Sequence, residues 1–146
     1  MNTTLERWLR RLRILSEDDR PTSAIHGRIG ETAARAHLER SGLKFLAANV
    51  RTEGSEIDLV FRDGECLVFV EVKARSKNSW TRPARAVNKA KKRRLTLAAL
   101  EYLRRIHNPL IAIRFDIVEV LLDGSEVDKV RHLTNAFPMS HPYLYR

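Results

Sequence analysis

Two apolar-rich runs, residues 57–61 and 66–72, flank Asp63-Gly64. In a strand, successive side chains point to opposite faces, so every second residue shares a surface. Asp-Gly between two such runs predicts a hairpin, because a type I′ turn takes positive φ at both central residues. With Arg62 paired to Glu65, Asp58 falls opposite Phe69 and Glu56 opposite Glu71. One face then carries Ile57, Leu59, Phe61, Cys66, Val68, Val70 and Val72, all apolar and therefore core. The other carries Glu56, Asp58, Val60 and Arg62 with Glu65, Leu67, Phe69, Glu71 and Lys73. On that register Asp58 and Glu71 are diagonal neighbours, roughly 7–8 Å apart at the backbone.

The period changes on either side of the hairpin. Residues 4–15 read as an amphipathic helix, with Leu5, Trp8, Leu9, Leu12 and Leu15 on one face and Thr3 and Glu6 as a capping box. Residues 17–22 read as a polar linker broken by Pro21. A second helix is predicted over 24–40, capped by Ser23 and ended by Ser41-Gly42, with Ile25, Ile29, Ala33, Ala36 and Leu38 toward the core. Gly27 and Gly30 are costly inside a helix. They imply a later start, or a close approach to another backbone or a ligand.

Residues 43–50 form a short strand candidate and 51–55 a turn. After the hairpin, 76–86 read as a loop holding Trp80 and Pro83, and 87–107 as a helix ended by Asn108-Pro109. A strand over 111–122, a second Asp-Gly turn at Asp123-Gly124 and an edge strand over 126–133 complete the pattern. The stretch from Pro138 to Pro142 reads as loose. Helix, strand, hairpin, helix and strand in that order predict an α/β fold, a mixed sheet with helices on its faces. The organisation is an N-terminal helix and linker at 1–22, a domain at 23–137 and a tail at 138–146.

A chain of 146 residues, 43% apolar, is sized for one domain with a self-sustaining core. No run of 18 apolar residues is present, so no membrane-spanning helix is expected. Neither is an N-terminal secretion signal. The lone Cys66, on the core face, fits a free thiol in the reducing cytoplasm. The five histidines show no close ligand spacing, so no zinc site is expected.

The charge changes the picture. The net charge is +9, and ten bases fall between Lys73 and Arg94 with no acid between Glu71 and Glu101. They are Lys73, Arg75, Lys77, Arg82, Arg85, Lys89, Lys91, Lys92, Arg93 and Arg94. Clustered bases of this kind are the footprint of a phosphate backbone, so a nucleic acid is the expected partner. Trp80 stacks on a base or anchors the loop on the domain.

The cluster follows a row of acids. Mg²⁺ takes oxygen ligands and usually only one or two protein carboxylates. A lysine beside such acids positions water or offsets charge on a phosphate. Asp58 followed by Glu71-Val72-Lys73 fits the acid…Glu-x-Lys pattern of restriction-endonuclease-like nucleases. The competing reading is a plain sheet face on which Glu56, Glu71 and Lys73 pair across strands.

Further motifs extend the pattern: Gly27-Arg28-Ile29-Gly30-Glu31, Gly42-Leu43, Ala48-Asn49-Val50, Gly54-Ser55-Glu56-Ile57-Asp58-Leu59-Val60, Phe69-Val70-Glu71-Val72-Lys73-Ala74-Arg75 and Arg114-Phe115-Asp116. Together, over about residues 27–137, they resemble the YraN family of small bacterial proteins, itself poorly characterised and similar to archaeal Holliday-junction resolvases. The resemblance implies a restriction-endonuclease-like α-β-β-β-α-β core, with the 4–15 helix as an addition. It implies a metal-dependent nuclease site in which Glu31 joins Asp58, Glu71 and Lys73. Asp58 and Glu71, with Glu31, would hold Mg²⁺ or Mn²⁺, supported by Glu56 and the Val72 carbonyl. Arg75, Lys77, Trp80, Lys89, Lys91, Lys92, Arg93 and Arg94 would bind the nucleic acid. The sequence departs from the family at Ser55, where Gly or Cys is usual, and at Lys92, where many members have Gln. Branched DNA usually calls for a symmetric pair of sites, hence a homodimer. The rival expectations are a non-catalytic nucleic-acid-binding protein on the same fold, or a scaffold docking through the 4–15 helix.

Overall fold

The structure, a computed structural model, describes residues 19–77 and 87–145. The 4–15 helix and Trp80, with most of its loop, lie outside the described residues. The elements are α1 (Asp19–Arg40), β1 (Lys44–Thr52), β2 (Ser55–Asp63), β3 (Cys66–Ser76), α2 (Lys89–Arg105), β4 (Ala112–Asp123) and β5 (Glu126–Phe137).

α1 begins at Asp19, so the stretch expected to be linker is partly helix. Pro21 falls in the first turn, where a backbone N–H has no helical partner anyway. The buried stripe of α1 is Gly30, Ala34 and Leu38, flanked by Ile29 and Ala33, and not Ile25, which is 50% exposed. The small residues let α1 sit close on the sheet. A Cβ on Gly30 would lie 2.7 Å from the Ala74 Cβ, so the expected close approach falls on this glycine. The helix ends in a Schellman motif: Leu43 N–H donates to the Leu38 carbonyl and Gly42 N–H to that of Glu39, with Gly42 at φ +95°.

The strands lie in the order β1-β2-β3-β4-β5. Neighbours are antiparallel except β3 and β4, which run parallel and are joined through α2. A parallel pair needs such a crossover. β5 runs to Phe137, well past the expected edge strand. The result is a mixed α/β sheet with a helix on each face. On one face α1 covers Leu59, Phe61, Val68, Val70, Val118, Val120 and Leu122. On the other α2 covers Val60, Leu67, Phe69, Phe115 and Ile117 through Leu95, Ala99 and Leu103. Burying each phenylalanine or leucine stabilises the fold by about 1.5–3 kcal/mol.

The hairpin turns one residue later than expected. Asp63 pairs with Cys66, leaving Gly64 and Glu65 as the central residues. Only Gly64 of these takes positive φ, +57°, as a type II′ turn requires at its first central position. The register therefore shifts by two residues, Val60 facing Phe69 in place of Asp58. A two-residue shift preserves the faces. Ile57 departs and joins the α2-side core, and Cys66, at the turn end, is only half-buried. The β2–β3 ladder has ended at Leu59, and Asn49, beside this point on β1, takes φ +51°.

The segment after β5 is not loose. Ser140 N–H donates to the buried Thr96 hydroxyl at 2.9 Å, Tyr145 Oη donates to the Pro109 carbonyl, and Met139 and Tyr145 pack on the α2-side core. None of the described helices is long and apolar enough to cross a membrane.

Candidate active site

β3 is buried from Leu67 through Glu71 and partly exposed from Val72 onward. The transition lies where β2 and β3 stop pairing. Asp58 sits one step past the last pair, Leu59 with Val70, and its Oδ2 accepts the Val72 N–H at 2.8 Å. The carboxylate takes the place of a strand partner for that N–H, which fixes Asp58 beside Glu71. The corrected register thus puts Asp58 level with Glu71 and not diagonal to it.

Glu71 is 5% exposed. Its Oε1 lies 3.3 Å from Lys73 Nζ and 3.7 Å from Lys91 Nζ. Its Oε2 is buried without a hydrogen-bond partner. Burial, then the charge of Glu71, pushes the Asp58 carboxyl up to about 7, with Glu31 adding to the rise; the Val72 N–H and Lys91 pull the other way. Glu31, on α1, is also raised, by burial and then by Glu56 and Glu71. A hydrogen bond from the Asn49 side chain partly offsets this. Acids from α1, β2 and β3 therefore share one electrostatic field, with Lys73 and Lys91 at its edge.

Glu56 is turned toward Arg51, with Oε2 3.6 Å from its Nε, while Lys73 pairs with Glu71. Asn49 does not stand out in the sequence as a site residue. Its place in the Ala48-Asn49-Val50 motif is the available signal, and its left-handed backbone accompanies the turn of its side chain toward Glu31.

Among the described residues the bases do not form one face. Asn88 caps α2 by accepting the Lys91 N–H, and no acid occupies the first turn. From there Lys91 reaches Glu71, Lys92 lies 5.6 Å from the Phe137 ring centroid, and Arg93 donates to Tyr143 Oη. Lys89 and Arg94 are exposed. Residues at 100° intervals cannot all point one way. On β3, Arg75 Nε lies 3.8 Å from Glu119 Oε1, and beyond it Lys77 Nζ lies 3.0 Å from Asp123 Oδ2.

A cation fits the acidic end. An unpartnered buried carboxylate oxygen and a carboxyl whose proton affinity is raised by a like charge both call for positive charge. Among the described residues no three or more His, Cys, Asp or Glu side chains are grouped to hold a metal ion. That leaves a pair of carboxylates, which is the share of protein ligands Mg²⁺ usually takes.

The sequence pattern of the Uncharacterised protein family UPF0102 matches residues 30–120. That span includes Glu31, Asn49, Asp58, Glu71, Lys73 and Lys91. A UPF0102 protein of Dechloromonas aromatica is 41% identical over 115 residues, 79% of this chain and 92% of that protein. One from Solibacter usitatus is 46% identical over 114 residues, 77% and 85% of the two chains. One from Geobacter sulfurreducens is 38% identical over 117 residues, 80% and 91%.

Proposed function

The chain belongs to the uncharacterised family UPF0102, the YraN family, and on that premise we propose that it is a divalent-metal-dependent nuclease acting on DNA. We read the α1-β1-β2-β3-α2-β4 order as a restriction-endonuclease-like core. Asp58 and Glu71 hold Mg²⁺ or Mn²⁺, with the Val72 carbonyl as a further donor. When bound, the metal activates water and offsets charge on the phosphate. Lys73, beside Glu71, holds the attacking water and donates to a phosphate oxygen as charge builds there. Glu31, steadied by Asn49 and raised by its surroundings, orients that water and takes its proton. Lys91 and the positive end of α2 draw in the backbone phosphate. The observation that carries this reading is the buried Glu71 Oε2 without a partner beside the raised Asp58 carboxyl. The reading places the protein in the cytoplasm, and on branched DNA it would act as a homodimer.

The test is cleavage of labelled linear, flap and four-way-junction DNA with Mg²⁺ or Mn²⁺, with Asp58→Asn and Glu71→Gln proteins alongside. Metal-dependent cutting by the parent, abolished in both variants, is expected, and the preferred substrate identifies the pathway. Absence of cutting by the parent overturns the reading.

One observation favours a second reading, a DNA-binding protein without turnover. Lys73 and Lys91 both lie within 4 Å of Glu71 Oε1 and partly neutralise it without a metal. That protein would bind DNA in a salt-dependent way, indifferent to Mg²⁺ and to Glu71→Gln.

A further inference from the structure

Glu119 is a second buried carboxylate on the same face of the sheet, and the chemistry above does not use it. It is 0% exposed. On β4 it stands in register with Lys73 of β3 on one side and Arg131 of β5 on the other. Alternation puts Glu71, Lys73 and Arg75 on that same face, with Glu119 and Arg131 beside them. Neither Glu119 oxygen has a hydrogen-bond partner. The charges it meets are those of arginines: Arg75, with Nε 3.8 Å from Oε1, and Arg131.

Burying a carboxylate this incompletely paired is expensive, and an apolar residue of similar size would usually serve the core as well or better. The residues on either side along this face of β4, Ile117 and Leu121, are such apolar residues. A glutamate here therefore has a use outside the core. Its place beside Arg75 and in register with Arg131 gives one. An arginine presents a rigid planar fork that matches phosphate oxygens, and a carboxylate at ion-pair distance restrains where its charge sits. Arg75 lies two residues beyond Lys73, roughly 6.6 Å along the strand, so a group held there neighbours the one that Lys73 faces.

We propose that Glu119 is a positioning residue that braces Arg75 and Arg131 as a two-arginine clamp for a DNA backbone phosphate next to the scissile one. The proposal rests on the nuclease reading and deepens it: Arg131 of β5 becomes part of the DNA track, extending it across the sheet from β3.

The test is fluorescence anisotropy of a labelled DNA duplex over a range of salt concentrations, without divalent metal, so that binding is read apart from cleavage. The full chain is compared with Glu119→Gln, Arg75→Gln and Arg131→Gln. Glu119→Gln removes a negative charge from a DNA-binding face, so simple electrostatics predicts tighter binding. The clamp predicts the opposite sign, a loss of about threefold to tenfold. Arg131→Gln is expected to weaken binding and to lower the salt slope by about 0.9, the value of one phosphate contact. In an Arg75→Gln, Arg131→Gln background, Glu119→Gln is expected to have almost no further effect. Glu119→Gln binding as tightly as the parent or tighter overturns the clamp and leaves the nuclease reading standing. Should Glu119→Gln fail to fold, Arg131→Gln decides: affinity and salt slope equal to the parent's overturn the clamp. A parent chain that does not bind DNA at all overturns both.

Discussion

Asp58 binds its proton more tightly in the folded chain than in the unfolded one. Its carboxyl rises from an ordinary 3.8 to about 7 through burial and the charge of Glu71. Ionising it therefore works against the fold, and stability is lost as pH climbs from about 4 through 7. Asp58→Asn, which keeps an acceptor for the Val72 N–H, is expected to raise the thermal midpoint of the metal-free protein at pH 8, and less at pH 5. A midpoint unchanged or lowered at pH 8 would contradict the assignment. Asp116 has the opposite sign. Burial pushes its carboxyl up, but His132 Nε2 at 2.7 Å, the Arg114 guanidinium and the Asn135 N–H outweigh that and leave it lowered. Its contribution is present above about 4 and is lost as pH falls through its folded value. Asp116→Asn is expected to destabilise by about 3 kcal/mol in urea denaturation at pH 7, because the partly buried Arg114 guanidinium is left with a weaker partner. Neither role is legible from sequence in full. The acids Glu31, Asp58 and Glu71 stand out by their pattern. Asp116 shows only as part of a motif, and Glu119 not at all. Whether a polar side chain in an apolar strand is buried depends on what neighbouring strands and helices lay over it.

At the scale of elements, the alternation in β2 and β3 is legible, and so are both faces of the hairpin except at Ile57 and the half-buried Cys66. The register is not. Asp-Gly is compatible with either residue opening the turn, and the choice moves every cross-strand pair by two residues. That shift preserves the faces but decides whether Asp58 meets Phe69 or Glu71. The helices show the same division. The Gly42 end of α1 is clear from sequence, whereas its early start at Asp19 is hidden by Pro21. Its two internal glycines differ in a way only packing reveals. Gly30→Ala brings a Cβ to 2.7 Å from that of Ala74 and is expected to cost about 1–3 kcal/mol, largely relieved by adding Ala74→Gly. A methyl group at Gly27 would meet nothing within 4 Å, so this position tolerates the change: Gly27→Ala is expected to stabilise by about 0.5–1 kcal/mol. Chemical denaturation of the three proteins checks both, and an equal loss at the two glycines would contradict this account of α1.

Across the whole molecule, the sheet is covered by α1 on one face and α2 on the other, and the acids gather where β2 and β3 part. Glu31 comes from one covering helix and Lys91 from the other, so the constellation exists only once both have docked. On the proposed reading the net charge of +9 is what attracts DNA, while Lys73 is set apart from most of the other bases by its contact with Glu71. Binding and cutting should therefore separate. The most direct measurement is the single-turnover rate at which the parent and a Lys73→Met protein cut labelled four-way-junction DNA in Mg²⁺, with affinity for the same DNA measured alongside. The account predicts cutting by the parent, slowed at least about 100-fold in the variant, with affinity changed only a few-fold. Cutting at the parent's rate by Lys73→Met, or none by the parent despite tight binding, would contradict it.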